Sequence, residues 1–404
     1  MPLPTSLDET LRELDLARMR RERFAKLQRA MREQSLDALL LLGTGNVIYA
    51  SGAGNVLADN SRRYHDRIIV LVVAGEEQPH VFSSHRDGIP PELAADHAHP
   101  PLYPETDAGV AAMAATVKEL TGGAATRIGI DDYTAPMWFA LPKLLAPVEL
   151  VDAGALLTDA RVIKTPDEQE CMRRSWEINE SATYAAEQIL RPGIRLTDLT
   201  GVFLRRLFEL GATCNFLDPV FQAMPERIAD GPWSTNDDVP FNLITVDHIV
   251  SEGDVVWTDT VMGYEGYASD VGRTWVAGRV SPTRRDLRTR WQEITDAVIE
   301  QLKPGVTGDV LTRLAIEANG GTKPWLDHFF LAHGLGLEGG EPQQVGADRG
   351  PESDEKFVLE PGMAIVVEPV TWLDGHAGWR CEELVFITDD GHERVSNYPN
   401  EGAE

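Results

Sequence analysis

The segment EGDVVWTDTVMGYEGYASDVGRTW, Glu252–Trp275, is where the architecture is most plainly written. Two runs rich in apolar and aromatic residues, Val255–Thr258 and Arg273–Val276, flank a Gly- and Tyr-rich stretch of the kind that makes a hairpin or bulged turn. Asp259 sits where the first run ends and Asp270 just before the second begins, 11 residues later. A buried, unpaired carboxylate is expensive, so two near the middle of a β element need a compensating charge, most simply a cation. Two exposed turn aspartates would look the same, and the pair alone does not choose between these.

A second copy of the pattern does. Pro361–Glu368, PGMAIVVE, lies without gaps over Glu252–Asp259, EGDVVWTD, at an offset of 109. Upstream, LRPGIRLTDL (Leu190–Leu199) returns as LKPGVTGDVL (Leu302–Leu311) at an offset of 112. Repetition on this scale marks a duplicated unit rather than a short-period solenoid. Two such halves facing each other would bring Asp259 and Glu368 together on a pseudo-twofold axis. His333 opens HGLGLEGG, where glycines allow close backbone approach. Glu382 follows Glu368 by 14 residues, the counterpart of Asp270, which follows Asp259 by 11. Four carboxylates and an imidazole form a hard, oxygen-rich set suited to Mn, Fe, Co or Zn rather than thiolate-seeking ions.

Asp259, Asp270, His333, Glu368 and Glu382, in this order and in these motifs, resemble the metallopeptidase family M24, the "pita-bread" fold of Xaa-Pro aminopeptidases, prolidases and creatinase. The resemblance spans roughly the whole chain, because larger members carry an N-terminal α/β domain. It implies an α+β protein: a creatinase-like N-terminal α/β domain over residues 1–160 and a pseudo-twofold pita-bread catalytic domain over 161–404. It also implies two divalent metal ions per chain, manganese first and iron, cobalt or zinc as alternatives. Asp259 would serve one ion, His333 and Glu368 the other, with Asp270 and Glu382 bridging. Glu368 would double as the proton-handling catalytic carboxylate, and Arg380 would support the ligands.

The sequence departs from the peptidase pattern around the substrate. Where those enzymes carry a second histidine after HGxGL, this chain has Gly340, and Asn242 stands at the position of another upstream. His248 is the nearby imidazole, six residues too late, and Trp372 replaces the usual tyrosine. A dimethylsulfoniopropionate lyase branch also lacks the second histidine, but this chain has Gly339 where an aspartate would act as its base; Glu338 and Glu341 are the acids close by. The expected activity is hydrolysis of a small amide or Xaa-Pro-type peptide, with C–S elimination as the alternative and a non-catalytic binding protein last, since all five ligand types are retained.

With 404 residues the chain can hold two domains with real cores. A net charge of −27 argues against nucleic acid or anionic membrane as partner. Three cysteines without CxxC spacing form neither a disulfide framework nor a thiolate site. Lacking a basic segment followed by an apolar stretch, or any run of membrane-span length, the sequence reads as cytoplasmic. Residues 16–34 suggest a surface helix; Leu36–Leu42, Arg67–Ala74, His80–Phe82 and Arg127–Asp131 suggest strands; Ala108–Leu120 and Pro136–Leu145 suggest helices. GTGN at Gly43–Asn46 is read as a plain turn, because it lacks the lysine of a phosphate loop. Ala153–Lys164 is read as the inter-domain connection, followed by a capping box at Thr165–Glu168. Between Phe216 and Val250 lies the least regular part of the catalytic domain, where Met224–Asn242 reads as a long loop that the resemblance would place over the metal site. Arg62, Arg63 and Tyr64 form a basic and aromatic loop suited to a carboxylated substrate, and the resemblance implies a homodimer in which that loop completes the neighbouring subunit's pocket.

Overall fold

The structure is a computed structural model and describes residues 14–54, 67–227, 248–326, 329–338, 341 and 344–399. The chain divides into two compact units, Asp15–Arg161 and one running from Val162 onward.

The first unit is built on the strands β1 (Ala38–Leu41), β2 (Ile69–Val73), β3 (His80–Phe82), β4 (Ala98–His99), β5 (Arg127–Ile130) and β6 (Glu149–Asp152), in the order β4-β3-β2-β1-β5-β6. β1 pairs antiparallel with β2 and parallel with β5, which is why the sheet is mixed. Leu40, Leu71, Ile128 and Ile130 pack with Val110 and Met113 of the Asp107–Leu120 helix and Leu141 of the Ala135–Leu145 helix. The charge-rich N-terminal segment forms the helix Leu16–Glu33, with Met19, Phe24, Leu27 and Met31 turned inward.

Two readings of this unit are corrected. Gly43–Asn46 is no plain turn but the start of the helix Thr44–Ser51. Its anion position is already filled: the Asp131 carboxylate accepts from the backbone of Leu42 and Gly43 and from the Asn46 amide, at 2.8, 3.0 and 2.9 Å. The segment read as a connection contains the helix Gly154–Val162, which buries Leu156, Leu157 and Ala160.

The second unit opens with the helix Pro166–Glu187. Thr165 caps it: its side chain accepts from Glu168 N while its own N–H donates to the Glu168 carboxylate at 2.7 Å. The helix Leu196–Glu209 follows, then β7 (Cys214–Asn215), β8 (Val220–Ala223), β9 (Val255–Tyr264) and β10 (Tyr267–Val276). β9 and β10 pair without a break from Tyr264↔Tyr267 to Val255↔Val276. Their turn is Glu265-Gly266, both at positive φ, as a two-residue hairpin requires. Asp259 and Asp270 therefore lie within long strands rather than at their ends. β8 pairs with β9 inside the segment expected to be irregular, and the remainder of that segment, residues 228–247, lies outside the described residues.

The second half repeats the plan with helices Pro282–Ile299 and Gly308–Ala318, then β11 (Ala332–Gly334), the short helix Pro351–Lys356, β12 (Ala364–Val367), β13 (Val370–Trp372), β14 (Gly378–Arg380), β15 (Glu383–Ile387) and β16 (His392–Arg394). One sheet has the order β11-β12-β15-β16, and β13 pairs with β14 apart from it. The duplication extends to individual hydrogen bonds. Gly193 N donates to Val250 O and Val250 N to Ile194 O; 112 and 109 positions on, Gly305 N donates to Leu359 O and Leu359 N to Val306 O. Each half has its own core, one around Ile178, Phe203, Met262 and Trp275, the other around Ile294, Leu311, Ile365 and Val385.

Candidate metal centre

Strand alternation sends Val256 and Met262 of β9 into the helix-side core and leaves Asp259 on the opposite face. On β10, Val271, Arg273 and Trp275 alternate with Asp270, Gly272 and Thr274. Gly272 stands opposite Asp259, and a Cβ there would come within 2.9 Å of the Glu382 carboxyl carbon. The missing side chain is the space that Glu382 occupies. From the second half, His333 sits on β11 opposite Val366, Glu368 directly follows β12, and Glu382 directly precedes β15. The halves are joined here. Glu382 N donates to Gly272 O at 3.1 Å, and the Thr274 hydroxyl donates to Arg380 O at 2.6 Å while accepting from Arg380 N at 3.1 Å.

Arg380 gathers three of the carboxylates. Its Nη1 donates to Asp259 Oδ2 at 3.1 Å, Nε to Glu368 Oε2 at 3.1 Å, and Nη2 to both Glu368 and Glu382. The rings of Trp257 and Phe329 flank the guanidinium, with centroids at 5.6 and 5.4 Å. His333 Nδ1 faces the Gly334 carbonyl at 2.9 Å and so must carry the proton there. That leaves Nε2 for Glu368 Oε1 at 3.2 Å and Asp270 Oδ2 at 3.4 Å.

Charge does not balance among these groups. Burial, reinforced by Glu382, Asp259 and Glu368, drives the Asp270 carboxyl well above its ordinary range. Burial likewise pushes Glu382 up to about 8 in spite of Arg380, and raises Asp259. Glu368 goes the other way: burial is outweighed by Arg380 and His333, which hold it low, while Glu368 in turn raises the His333 imidazole against the effect of burial. Asp259, Asp270 and Glu382 each offer an oxygen, all within 4.8 Å of one another, and the buried Glu382 Oε2 has no hydrogen-bond partner. An orphaned carboxylate oxygen beside two others is the donor set a divalent cation satisfies.

The other sequence-picked residues are placed differently. Glu341 is buried rather than solvated. Its carboxylate lies 3.7 Å from Lys164 Nζ and accepts from Glu338 N at 2.9 Å, while Lys164 also donates to the Glu341 carbonyl. Glu338 is exposed. His248 bonds Asp254 at 2.8 Å in the approach to β9, five residues before Asp259. Trp372 packs against the cluster that contains Val255 and Trp257, and bonds Asp374 at 3.1 Å. Arg62, Arg63, Tyr64, Asn242, Gly339 and Gly340 lie outside the described residues. Gly272, Thr274 and Arg273 went unnoticed in the sequence. Arg273 is fully buried, pairs with Glu180 at 2.9 Å and donates to the Glu382 carbonyl. A charged residue inside an apolar strand, next to a glycine, was the available signal.

Paired β halves enclosing a carboxylate-rich, cation-demanding centre define a class, and the comparisons give it a name. Residues 170–389 match Metallopeptidase family M24, and residues 23–163 match the Creatinase/Prolidase N-terminal domain. The chain belongs to the metallopeptidase family M24, whose metallopeptidases use divalent metals. A Xaa-Pro dipeptidase of Pyrococcus horikoshii is 26% identical over 384 residues, covering 94% of this chain and 98% of its own. A dimethylsulfoniopropionate lyase of Roseovarius nubinhibens is 25% identical over 412 residues, covering 95% and 87%. The crystal structure of the prolidase from Pyrococcus horikoshii superposes with a TM-score of 0.75 at 23% identity, over 95% of this chain and 100% of that one, a likeness of fold. Family and relatives together support a metallopeptidase-type hydrolase. Among the described residues no helix is long and apolar enough to cross a membrane.

Proposed function

We propose that the chain is a dinuclear metal-dependent hydrolase of a small amide or Xaa-Pro-type peptide, working as a cytoplasmic homodimer with manganese as its first-choice metal. The observation that carries this reading is the convergence of four carboxylates and His333 around too little positive charge, with Glu382 Oε2 left orphaned. Asp259 would hold one ion, His333 and Glu368 the other, and Asp270 and Glu382 both. When bound, such ions supply a nucleophilic water at neutral pH and offset negative charge developing on a carbonyl oxygen.

The chain's own groups do the rest. Glu368 is the carboxylate held low by Arg380 and His333, so it is ionised at neutral pH and can accept a proton at Oε1 and return it to a leaving amine. Arg380 positions Asp259, Glu368 and Glu382 through donors on three nitrogens. Trp257 and Phe329 exclude water from its faces.

C–S elimination, the alternative that a dimethylsulfoniopropionate lyase among the relatives raises, would need a free carboxylate near the glycine-rich segment after His333. Of the two acids there, Glu341 is engaged by Lys164 and Glu338 N, an observation that favours the hydrolytic reading. One assay separates the two: manganese-loaded protein with a panel of Xaa-Pro dipeptides and, separately, dimethylsulfoniopropionate, read as free proline or as acrylate with dimethyl sulfide. Proline release is expected. In parallel, metal analysis should find close to two ions per chain, lost in Asp270→Ala along with at least about a 10³-fold fall in kcat/KM. A folded protein that takes up no divalent metal sinks the reading.

A further inference from the structure

At the C-terminal end of β10 lies a cavity of about 290 Å³ that the metal centre does not use. It is bounded by the turn after the Pro166–Glu187 helix, the first turns of the Pro282–Ile299 helix, Trp379 of β14 and Cys381 just after it. Arg191, Arg284, Arg285 and Arg288 line it. In a chain of 37 basic and 64 acidic residues, an arginine cluster is expected to be neutralised by carboxylates, as Arg67, Arg127, Arg173 and Arg394 are. This one is not. Among the described residues none of the four is ion-paired: Arg191 donates to Ile189 O, Arg284 to Gly253 O, Arg285 to Val280 O, and Arg288 makes no hydrogen bond. The one acid on the wall, Glu187, is taken by the Tyr398 hydroxyl.

Two further features point at an anion. The first two turns of the Pro282–Ile299 helix reach this cavity through Arg284, Arg285 and Arg288, so the positive end of an 18-residue helix lies beside the arginines. Trp275 and Trp379 give the opposite wall a low-polarity surface, which strengthens electrostatic attraction at the mouth. Four guanidinium groups exceed what one planar carboxylate can engage, and they suit a tetrahedral, multiply charged group. The volume lies at the small end for ligand pockets.

We infer that this cavity is a binding site for a small polyphosphate anion, separate from the metal centre. The probe is inorganic pyrophosphate, titrated calorimetrically at low salt into full-length protein dialysed free of unbound metal, with citrate as the carboxylate arm. Saturable binding near one per chain is expected, weaker by at least about tenfold in Arg284→Ala/Arg288→Ala. Arg288→Ala alone should also weaken it, and since the Arg288 side chain makes no hydrogen bond or ion pair among the described residues, that loss is not the loss of a bond seen in the fold. Asp270→Ala should bind as the parent does, and so should Arg205→Ala, which removes an exposed arginine outside the cavity wall that is paired with Glu209. Absence of saturable binding, binding indifferent to both arginine variants, or binding lost in Asp270→Ala would each overturn the site. Citrate binding as tightly as pyrophosphate would overturn its assignment to phosphoryl groups.

Discussion

The two halves of the catalytic unit start from one plan and deliver their carboxylates differently. In the first half, Asp259 and Asp270 lie in the middle of an uninterrupted hairpin closed by a two-residue turn. In the second, Glu368 and Glu382 sit where strands break, because β12 and β15 belong to one sheet and the intervening β13 and β14 to another. The first half supplies a stiff ladder whose backbone is fully paired around its ligands. The second supplies ligands at chain junctions, held instead by Arg380, Thr274 and Gly272 O. Rigidity on one side and side-chain anchoring on the other let two similar halves build an asymmetric centre.

That contrast is best attacked at Gly272. The ladder has no slack there, so the methyl group of Gly272→Ala must displace Glu382 rather than β10. The expected outcome is a kcat/KM lower by about 10–100-fold with weakened metal retention, and a melting temperature within a few degrees of the parent. The equivalent position in the second half, counted from the Asp270–Glu382 match, is Leu384, which already carries a large buried side chain. Unchanged kinetics in Gly272→Ala would mean that the junction does not set the position of Glu382.

Metal removal probes the same junction at a smaller scale. In the metal-free protein Glu382 keeps its proton up to about pH 8, against an ordinary value of 4.5, and Asp270 is shifted in the same direction. Between those limits the folded state binds more protons than the unfolded chain, so stability falls as pH rises. Scanning calorimetry with a chelator should show a melting temperature dropping by several degrees from pH 5 to 8, a slope that saturating manganese removes. A flat profile with the chelator present would show that these carboxyl groups are not proton-loaded.

The smallest effect is expected at the hairpin turn. Gly266 has φ near 85°, so Gly266→Ala strains the backbone and should cost about 1 kcal/mol by urea unfolding. Activity should not change, because the turn lies four residues from Asp270 along a fully paired strand. A large activity loss would mean that the hairpin is less rigid than its ladder implies.

Much of this was legible in the residues. The duplication showed in PG-turns and strand runs because equivalent turns need a glycine at the same place: Gly193 and Gly305, then Gly253 and Gly362, all with positive φ. The capping box at Thr165 was readable because it is local. What escaped depends on distant parts of the chain. The helix at Thr44 is organised by Asp131, more than eighty residues away. β9 runs straight through Gly263, where a strand should weaken, because Phe216 and Cys214 fill the space a side chain would take. Nothing near Glu341 in sequence announces Lys164, and no single-position signal reveals that Gly272 is empty for the sake of Glu382.

The Thr274–Arg380 contact also bears on ancestry. Counted by the Asp270–Glu382 match, the second-half counterpart of Thr274 is Phe386, which has no hydroxyl, and the first-half counterpart of Arg380 is Ala268, which has no charge. Each half thus holds one indispensable part that its sister lacks: the first the hydroxyl that joins them, the second the only guanidinium bonded to the carboxylates among the described residues. A half of the present chain paired with its own copy would have two joining hydroxyls and no arginine, or two arginines and no hydroxyl. Whatever symmetric pair preceded the fusion, the descendant halves have divided the labour and can no longer stand in for each other.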